Sequence, residues 1–138
     1  MTPVLLDASV IVALLHQREE HHRQCAAFVR TLDRPLVTCE AVISESCILL
    51  RRSSGAVDAV MENVEQGIFQ LPLRLADSAA AIRSLMTKYR DTPSSLADAC
   101  LIRMAEELNT GDILTLDSDF RSYRWRKTRP FRLLLDEQ

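Results

Sequence analysis

The sequence of 138 residues has little glycine (three residues), little proline (five) and few aromatic side chains (5 %). These values exclude collagen-like chains and Pro/Gly-rich disordered chains, and no repeat of about 20–50 residues indicates a solenoid. No uncharged apolar run approaches the roughly 20 residues of a membrane-spanning helix, and residues 1–15 lack the basic leader of a signal peptide. We therefore expect one soluble, cytoplasmic domain over residues 1–138, without membrane association, since a typical domain has about 150 residues.

The four cysteines also lack the spacing of a metal or disulfide framework. Cys25, Cys39, Cys47 and Cys100 contain no CxxC pair, and no histidine stands beside any of them. This pattern predicts reduced and mostly buried thiols rather than a zinc site.

Positive charge is scarce in the body of the chain and concentrated near its end. Residues 1–120 carry 11 basic and 17 acidic side chains, whereas residues 121–132 carry six basic ones and no acid. We call residues 121–132 the basic strip. Its interleaved Tyr123 and Trp125 are typical of surfaces that stack on unpaired bases, and equally of side chains that anchor the segment to the body.

Short apolar runs alternate with helical periodicity along the chain. Strands are predicted at 4–6, 36–38, 68–71, 113–116 and 132–135, and helices at 10–15, 20–30, 40–52, 57–64, 75–89 and 95–108. The alternation predicts an α/β fold with a mostly parallel sheet of four to five strands and helices on both faces. Functional sites in such sheets lie beyond the carboxyl ends of the strands.

Acidic residues occupy these places. Asp7 follows the first strand, Asp117 follows the fourth, and Glu45 and Asp98 each lie one turn into a helix. Taken singly, the aspartates could be helix caps, with Ser95 and Asp98 forming a capping box, and Glu45 could be a solvated side chain.

Taken together, these four carboxylates would meet above one edge of the sheet. A like-charged pair at about 4 Å costs up to about 4 kcal/mol at an effective dielectric near 20. A divalent cation offsets this repulsion, and a site of oxygen ligands without His or Cys favours Mg²⁺ or Mn²⁺. Such ions, alone or paired, bind phosphate oxygens and lower the pKa of a water.

The segments 5–9, 44–45, 95–99 and 114–120 resemble, in this order, the motifs of PIN domains, particularly the VapC-like ribonucleases of bacterial toxin–antitoxin pairs. The resemblance covers essentially the whole chain. It implies a three-layer α/β/α fold, metal-dependent cleavage of single-stranded or loop RNA, a homodimer and, for toxins, a small antitoxin protein.

The resemblance also implies roles for individual residues. Asp7, Glu45, Asp98 and Asp117 match the catalytic tetrad, with Asp7, Asp98 and Asp117 as metal ligands. Ser9 and Thr115 match the supporting hydroxyls, and Asp119 is either an outer-sphere ligand or a cap. The basic strip lies beyond the core pattern, so RNA binding is predicted there from charge alone, by Arg121, Arg124, Arg126, Lys127 and Arg129. For His16, His21 and His22 we expect surface roles.

Three alternatives deserve comparison. A haloacid-dehalogenase-type phosphatase needs a second Asp two residues after Asp7, where this chain has Ser9. A receiver domain needs an acidic pair near the first strand and a lysine on a late strand, and neither is evident. A non-catalytic PIN-like module that binds RNA or protein would be expected to lose carboxylates. All four are present, so the sequence favours the nuclease.

Overall fold

A computed structural model describes residues 1–92 and 94–137. The strands are β1 (Val4–Leu6), β2 (Leu36–Val37), β3 (Phe69–Gln70), β4 (Asp112–Leu114), β5 (Arg124–Trp125), β6 (Arg129–Pro130) and β7 (Arg132–Leu133). The helices are α1 (Ala8–Leu15), α2 (His22–Thr31), α3 (Glu40–Leu49), α4 (Ala56–Glu65), α5 (Leu75–Lys88) and α6 (Leu96–Leu108). Two 3-10 turns cover Ser118–Arg121 and Leu134–Glu137.

Five strands form a parallel sheet in the order β3-β2-β1-β4-β7. Its central strand β1 is buried over all three residues, as expected for a strand covered on both faces. Leu5 lies opposite Val37 of β2 on one side and opposite Ile113 of β4 on the other. The predicted parallel sheet is confirmed, with strands shorter than the apolar runs suggested.

The helices form two layers around this sheet. Helices α1 to α4 pack on one another within the connections β1–β2 and β2–β3, and α5 packs against α6 in the connection from β3 to β4. The chain moves from β1 outward to β3 and then returns to the other side of β1, so right-handed crossovers place the two groups on opposite faces. The order reverses between β1 and β4, which is where open α/β sheets form their crevice.

A small antiparallel hairpin of β5 and β6 was not predicted. Its turn places Arg126 and Lys127 at φ 46° and 69°, a region that glycine favours. Because Arg126 and Lys127 stand in this turn, it lacks the Asn-Gly or Asp-Gly signature by which such hairpins are recognised from sequence. The last sheet strand is also shorter than predicted, because the chain enters a 3-10 turn at Leu134.

Several apolar side chains on the helices are exposed. Ile82 of α5 is buried, but Leu75 and Met86 of the same helix are 47 % and 41 % exposed. On α3 and α4, exposed apolar side chains include Ile48, Leu49, Val57 and Met61. Three of the cysteines are buried and Cys47 is half-buried, which confirms the prediction of mostly buried thiols. Among residues 1–92 and 94–137, no helix is long and apolar enough to cross a membrane.

Candidate active site at the carboxyl edge of the sheet

Asp7 lies where β1 ends and α1 begins. Its backbone N–H donates to Leu114 O of β4 at 3.1 Å, which connects the two strand ends. The side chain makes no capping hydrogen bond to α1. Its Oδ2 accepts instead from Thr115 Oγ1 at 2.7 Å and from Ser9 Oγ at 3.0 Å. Asp7 therefore occupies the N-cap position of α1, but its side chain serves the acidic site and does not cap the helix.

Ser9 and Thr115 also hold the segment after β4. Thr115 Oγ1 accepts from the Asp117 N–H, and Ser9 Oγ accepts from the Leu116 N–H, both at 3.0 Å. Each hydroxyl thus donates to the Asp7 carboxylate and accepts from a backbone amide of the loop. These four hydrogen bonds fix Asp7 and Asp117 relative to each other.

Asp117 begins the 3-10 turn that follows β4. Its Oδ1 accepts from the Asp119 N–H at 2.9 Å, so the capping interpretation of Asp117 is confirmed for this oxygen. Asp119 and Asp117 both lie near enough to Tyr123 to raise the pKa of its hydroxyl, after the larger effects of burial and of Asp98. The turn therefore brings a second acidic side chain close to the site.

Asp98 lies in the first turn of α6. Its backbone N–H donates to Ser95 Oγ at 3.2 Å, which confirms the predicted N-cap. Its side-chain Oδ2 accepts from the hydroxyl of Tyr123 at 2.9 Å. Tyr123 is completely buried and packs edge-to-face against Phe120 and Tyr89, with ring centroids 5.0 Å and 4.9 Å away.

Tyr123 thus anchors the end of the chain and orients a site carboxylate. Sequence reasoning left open whether it stacks on bases, and a completely buried ring excludes that role. Its contact with Asp98 was missed because 25 residues separate the two. The aromatic residues Phe120 and Tyr123, three positions apart after Asp117, were the only available signal.

Glu45 enters from the second turn of α3 and is half-exposed. Burial raises the pKa of its carboxyl group, and the charges of Asp7 and Asp117 raise it further. It is therefore a member of the acidic group and not an isolated solvated side chain.

The pKa values of Asp7 and Asp98 are also raised in the site. Burial raises the pKa of Asp7, against the hydrogen bonds from Thr115 and Ser9, and the charge of Asp117 raises it further. Burial raises the pKa of Asp98 to about 6, with Tyr123 opposing the shift and Asp7 and Asp117 adding to it. The charge of Asp117 thus acts on Asp7, Glu45 and Asp98, and that of Asp7 acts on Glu45 and Asp98, which places the four sequence-distant carboxylates in one acidic site.

The donor set fits a hard divalent cation. All four groups offer carboxylate oxygens, which Mg²⁺ and Mn²⁺ prefer. The hydrogen bonds described above use Oδ2 of Asp7, Oδ2 of Asp98 and Oδ1 of Asp117. Across residues 1–92 and 94–137, no three His, Cys, Asp or Glu side chains stand close enough together to enclose one ion. The acids are therefore close enough to interact electrostatically, but they do not form a closed metal-binding cage.

The basic strip is divided between two edges of the sheet. Trp125 of β5 lies against Gly111, directly before β4, and its Nε1 donates to Pro130 O at 3.1 Å. Arg126 donates to the Glu106 carbonyl and to Asn109 Oδ1 at the end of α6. The hairpin therefore lies at the amino ends of β4 and β7, opposite the acidic site.

Trp125 is buried and has the guanidinium groups of Arg126 and Arg129 over its ring, at 5.5 Å and 5.1 Å from the centroid. It packs the hairpin onto the body, so the anchoring role predicted as one of two alternatives is the one observed. RNA binding by Arg126, Lys127 and Arg129 stays a prediction from charge. Their position at the far edge does not support direct contact with a strand bound at the acids.

Other basic residues lie nearer the site. Arg124 donates to the carbonyls of Arg121 and Tyr123. Arg121 pairs with Asp136 at 2.9 Å and lines a depression of about 190 Å³ beside Asp117, together with His21. His22 Nδ1 lies 2.7 Å from Ala13 O, which joins α2 to α1. Arg121 is thus the predicted RNA-binding residue that borders the acidic site.

Comparison with known proteins identifies the family of this chain. The family model described as PIN domain matches residues 4–126. Ribonuclease VapC26 of Mycobacterium tuberculosis (strain ATCC 25618 / H37Rv) is 27 % identical over 116 residues, covering 83 % of this chain and 86 % of that protein.

Among solved structures, the fold is similar to that of Mycobacterium tuberculosis VapC20, described as a sarcin-ricin loop cleaving toxin. The TM-score is 0.80 at 18 % identity, covering 92 % of this chain and 99 % of that one. The family match spans most of the sequence and includes all four carboxylates, and the chain belongs to the PIN domain family.

Proposed function

We propose that the protein is a metal-dependent endoribonuclease that hydrolyses RNA phosphodiester bonds, with the biological role of a VapC-like toxin. The observation that carries the proposal is the convergence of Asp7, Glu45, Asp98 and Asp117 from four segments, where burial raises the pKa of Asp7, Glu45 and Asp98 and the charge of Asp117 raises each of the three further. Such repulsion is unfavourable for the fold alone and is relieved by a cation. A non-catalytic PIN-like module would gain nothing from this repulsion between carboxylates.

Asp7, Asp98 and Asp117 would hold Mg²⁺ or Mn²⁺. The ion would supply binding of phosphate oxygens and a lowered pKa of an attacking water. Ser9 and Thr115 orient the Asp7 carboxylate, and Tyr123 orients that of Asp98. Glu45 is half-exposed with a raised pKa, which suits its carboxylate to accept the proton of the attacking water.

RNA as substrate is supported by the names of the two relatives, a ribonuclease and a sarcin-ricin loop cleaving toxin. The toxin assignment brings with it an antitoxin partner and a cytoplasmic location. A homodimer is supported by the exposed apolar side chains of Ile48, Leu49, Val57 and Met61 on α3 and α4, because exposed apolar groups commonly mark protein interfaces.

The test is cleavage of a single-stranded RNA by purified protein in Mg²⁺ or Mn²⁺ and in EDTA. We expect cleavage only with metal, and at least about a 10²-fold loss in Asp7→Asn, the size of one lost preorganised electrostatic interaction. Asp33→Asn, an exposed loop residue, is the matched control and should retain wild-type activity. Equal rates in Asp7→Asn and wild type would identify a contaminating nuclease and contradict the proposal. In cells, expression of the wild type should arrest growth and that of Asp7→Asn should not.

A further inference from the structure

A second polar cleft lies at the ends of α1 and α3. It has a volume of about 490 Å³ and is lined by His16, Gln17, Arg18, Arg52, Ser53 and Ser54. His16 Nδ1 and Ser53 Oγ, 3.4 Å apart, join the two sides. The cleft contains two guanidinium groups and two serine hydroxyls, and no carboxylate lines it. It belongs to neither the acidic site nor the basic strip.

The cleft is connected to the acidic site by the two helices. Asp7 directly precedes α1, whose far end is followed by His16. Glu45 lies within α3, close enough to Asp7 to interact with its charge. Ser53 follows the far end of the same helix. His16 lies nine positions after Asp7, which at about 1.5 Å per helical residue is roughly 13 Å. Helices α1 and α3 therefore lead side by side from the acids to the cleft.

The charge of the cleft is available to a ligand. Among the described residues, neither Arg18 nor Arg52 lies within salt-bridge distance of a carboxylate, and both are exposed. The neighbouring acids contact His21: Glu19 accepts from its backbone N–H, and Glu20 lies 3.3 Å from its Nε2. Arg121 and Arg132, by contrast, are paired with Asp136 and Glu137. Guanidinium groups and hydroxyls without a protein anion suit phosphate oxygens.

We propose that this cleft, about 13 Å along α1 from Asp7, binds a backbone phosphate of the RNA strand through Arg18 and Arg52 with the hydroxyls of Ser53 and Ser54. The proposal rests on the ribonuclease function and names the surface along which the strand runs, between α1 and α3. It gives an otherwise acidic body a positive contact on the side of its active site. Phosphate contacts of this kind position a strand without reading its sequence.

The double variant Arg18→Gln/Arg52→Gln tests the proposal. Binding of a fluorescent single-stranded RNA is measured by anisotropy over a range of salt concentrations in EDTA, where cleavage is absent. Loss of this phosphate contact should weaken binding and reduce the slope of log K against log [salt] by about 0.7, the value for one phosphate on a single strand. The matched control Arg30→Gln/Arg83→Gln removes the same charge from exposed positions on α2 and α5 and should change neither quantity.

Cleavage with metal provides the second readout. On a long RNA the cleft variant should show a raised KM with kcat unchanged, because the lost contacts are the same in ground and transition states. On a dinucleotide, which is too short to reach the cleft, wild type and variant should have the same kcat/KM.

The possible failures are distinguishable. Wild-type cleavage with unchanged salt slope and KM in the cleft variant would overturn the phosphate site while leaving the nuclease intact. If the control variant changed the salt slope and KM by as much, the effect would come from net charge alone. That result would also overturn the phosphate site. Absence of metal-dependent cleavage in the wild type would contradict the proposed function, whereas a lost salt slope in the cleft variant would still support the RNA contact.

Discussion

Replacing Asp98 with asparagine should stabilise the metal-free protein. Asp98 is 8 % exposed, and its pKa rises from the ordinary 3.8 to about 6 in the fold. A shift of about 2 units corresponds to about 3 kcal/mol of unfavourable free energy for the charged form. Asparagine removes the charge but alters the contacts with Tyr123 and Ser95. We therefore expect a net gain of about 1–3 kcal/mol, which for a chain of this size raises Tm by roughly 3–10 °C.

The effect has a defined pH dependence. A carboxyl group whose folded pKa is raised contributes stability that is complete when the group is protonated in both states. Above about pH 4 the unfolded chain releases the proton first, and the contribution is lost as pH rises through the folded pKa of about 6. Wild type in EDTA should therefore lose stability between about pH 4 and pH 6, and the Asp98→Asn protein should lack most of that loss.

Thermal melts of both proteins in EDTA, and in Mn²⁺ at pH 7.5, measure these effects. Metal at about 100 times its Kd should stabilise the wild type by roughly 2.7 kcal/mol, and the variant should gain less because one ligand is missing. Asp33→Asn, which removes an exposed charge, should leave the free energy of unfolding within about 0.5 kcal/mol of wild type. An Asp98→Asn protein no more stable than wild type in EDTA at pH 7.5 would show that the Asp98 charge does not destabilise the metal-free fold.

Two further substitutions test the surroundings of the site. In Tyr123→Phe, the Asp98 carboxylate loses a hydrogen bond that lowers its pKa, so NMR titration should place that pKa above the wild-type value; an unchanged value would show that the 2.9 Å contact has no electrostatic effect. In Gly111→Ala, the new Cβ would clash with Trp125 Nε1, so the free energy of unfolding should fall by about 1–3 kcal/mol. A denaturant melt identical to that of wild type would show that the hairpin of β5 and β6 is free to move away.

The sequence was sufficient to locate the acids because their positions depend on regular structure. Asp7 and Asp117 follow neighbouring parallel strands, whose carboxyl ends share one edge whatever the details of packing. Asp98 and Glu45 lie at a fixed distance from the starts of their helices, on the same edge. Burial and hydrogen bonding then distinguish roles that the sequence left open, such as a cap for Asp117 and none for Asp7.

The basic strip could not be interpreted from charge alone. The path of the strip depends on two buried aromatic side chains. Tyr123 contacts Asp98 and Trp125 lies against Gly111, and these partners are 25 and 14 residues away along the chain. The tight turn at Arg126 and Lys127 uses positive φ angles without glycine. These tertiary contacts place most of the strip's charge at the edge opposite the acids. The free arginines Arg18 and Arg52 had no distinguishing pattern in the sequence.

We propose that Asp7, Asp98 and Asp117 together bind a divalent cation. Titration of Mn²⁺, followed by the loss of its free EPR signal, measures this in wild type, Asp7→Asn, Asp117→Asn and the control Asp33→Asn. Wild type and Asp33→Asn should bind Mn²⁺ with the same affinity, and each site variant should bind at least about tenfold more weakly, or about 1.4 kcal/mol. Equal Mn²⁺ affinity in all four proteins, or no binding by the wild type at millimolar Mn²⁺, would contradict this proposal.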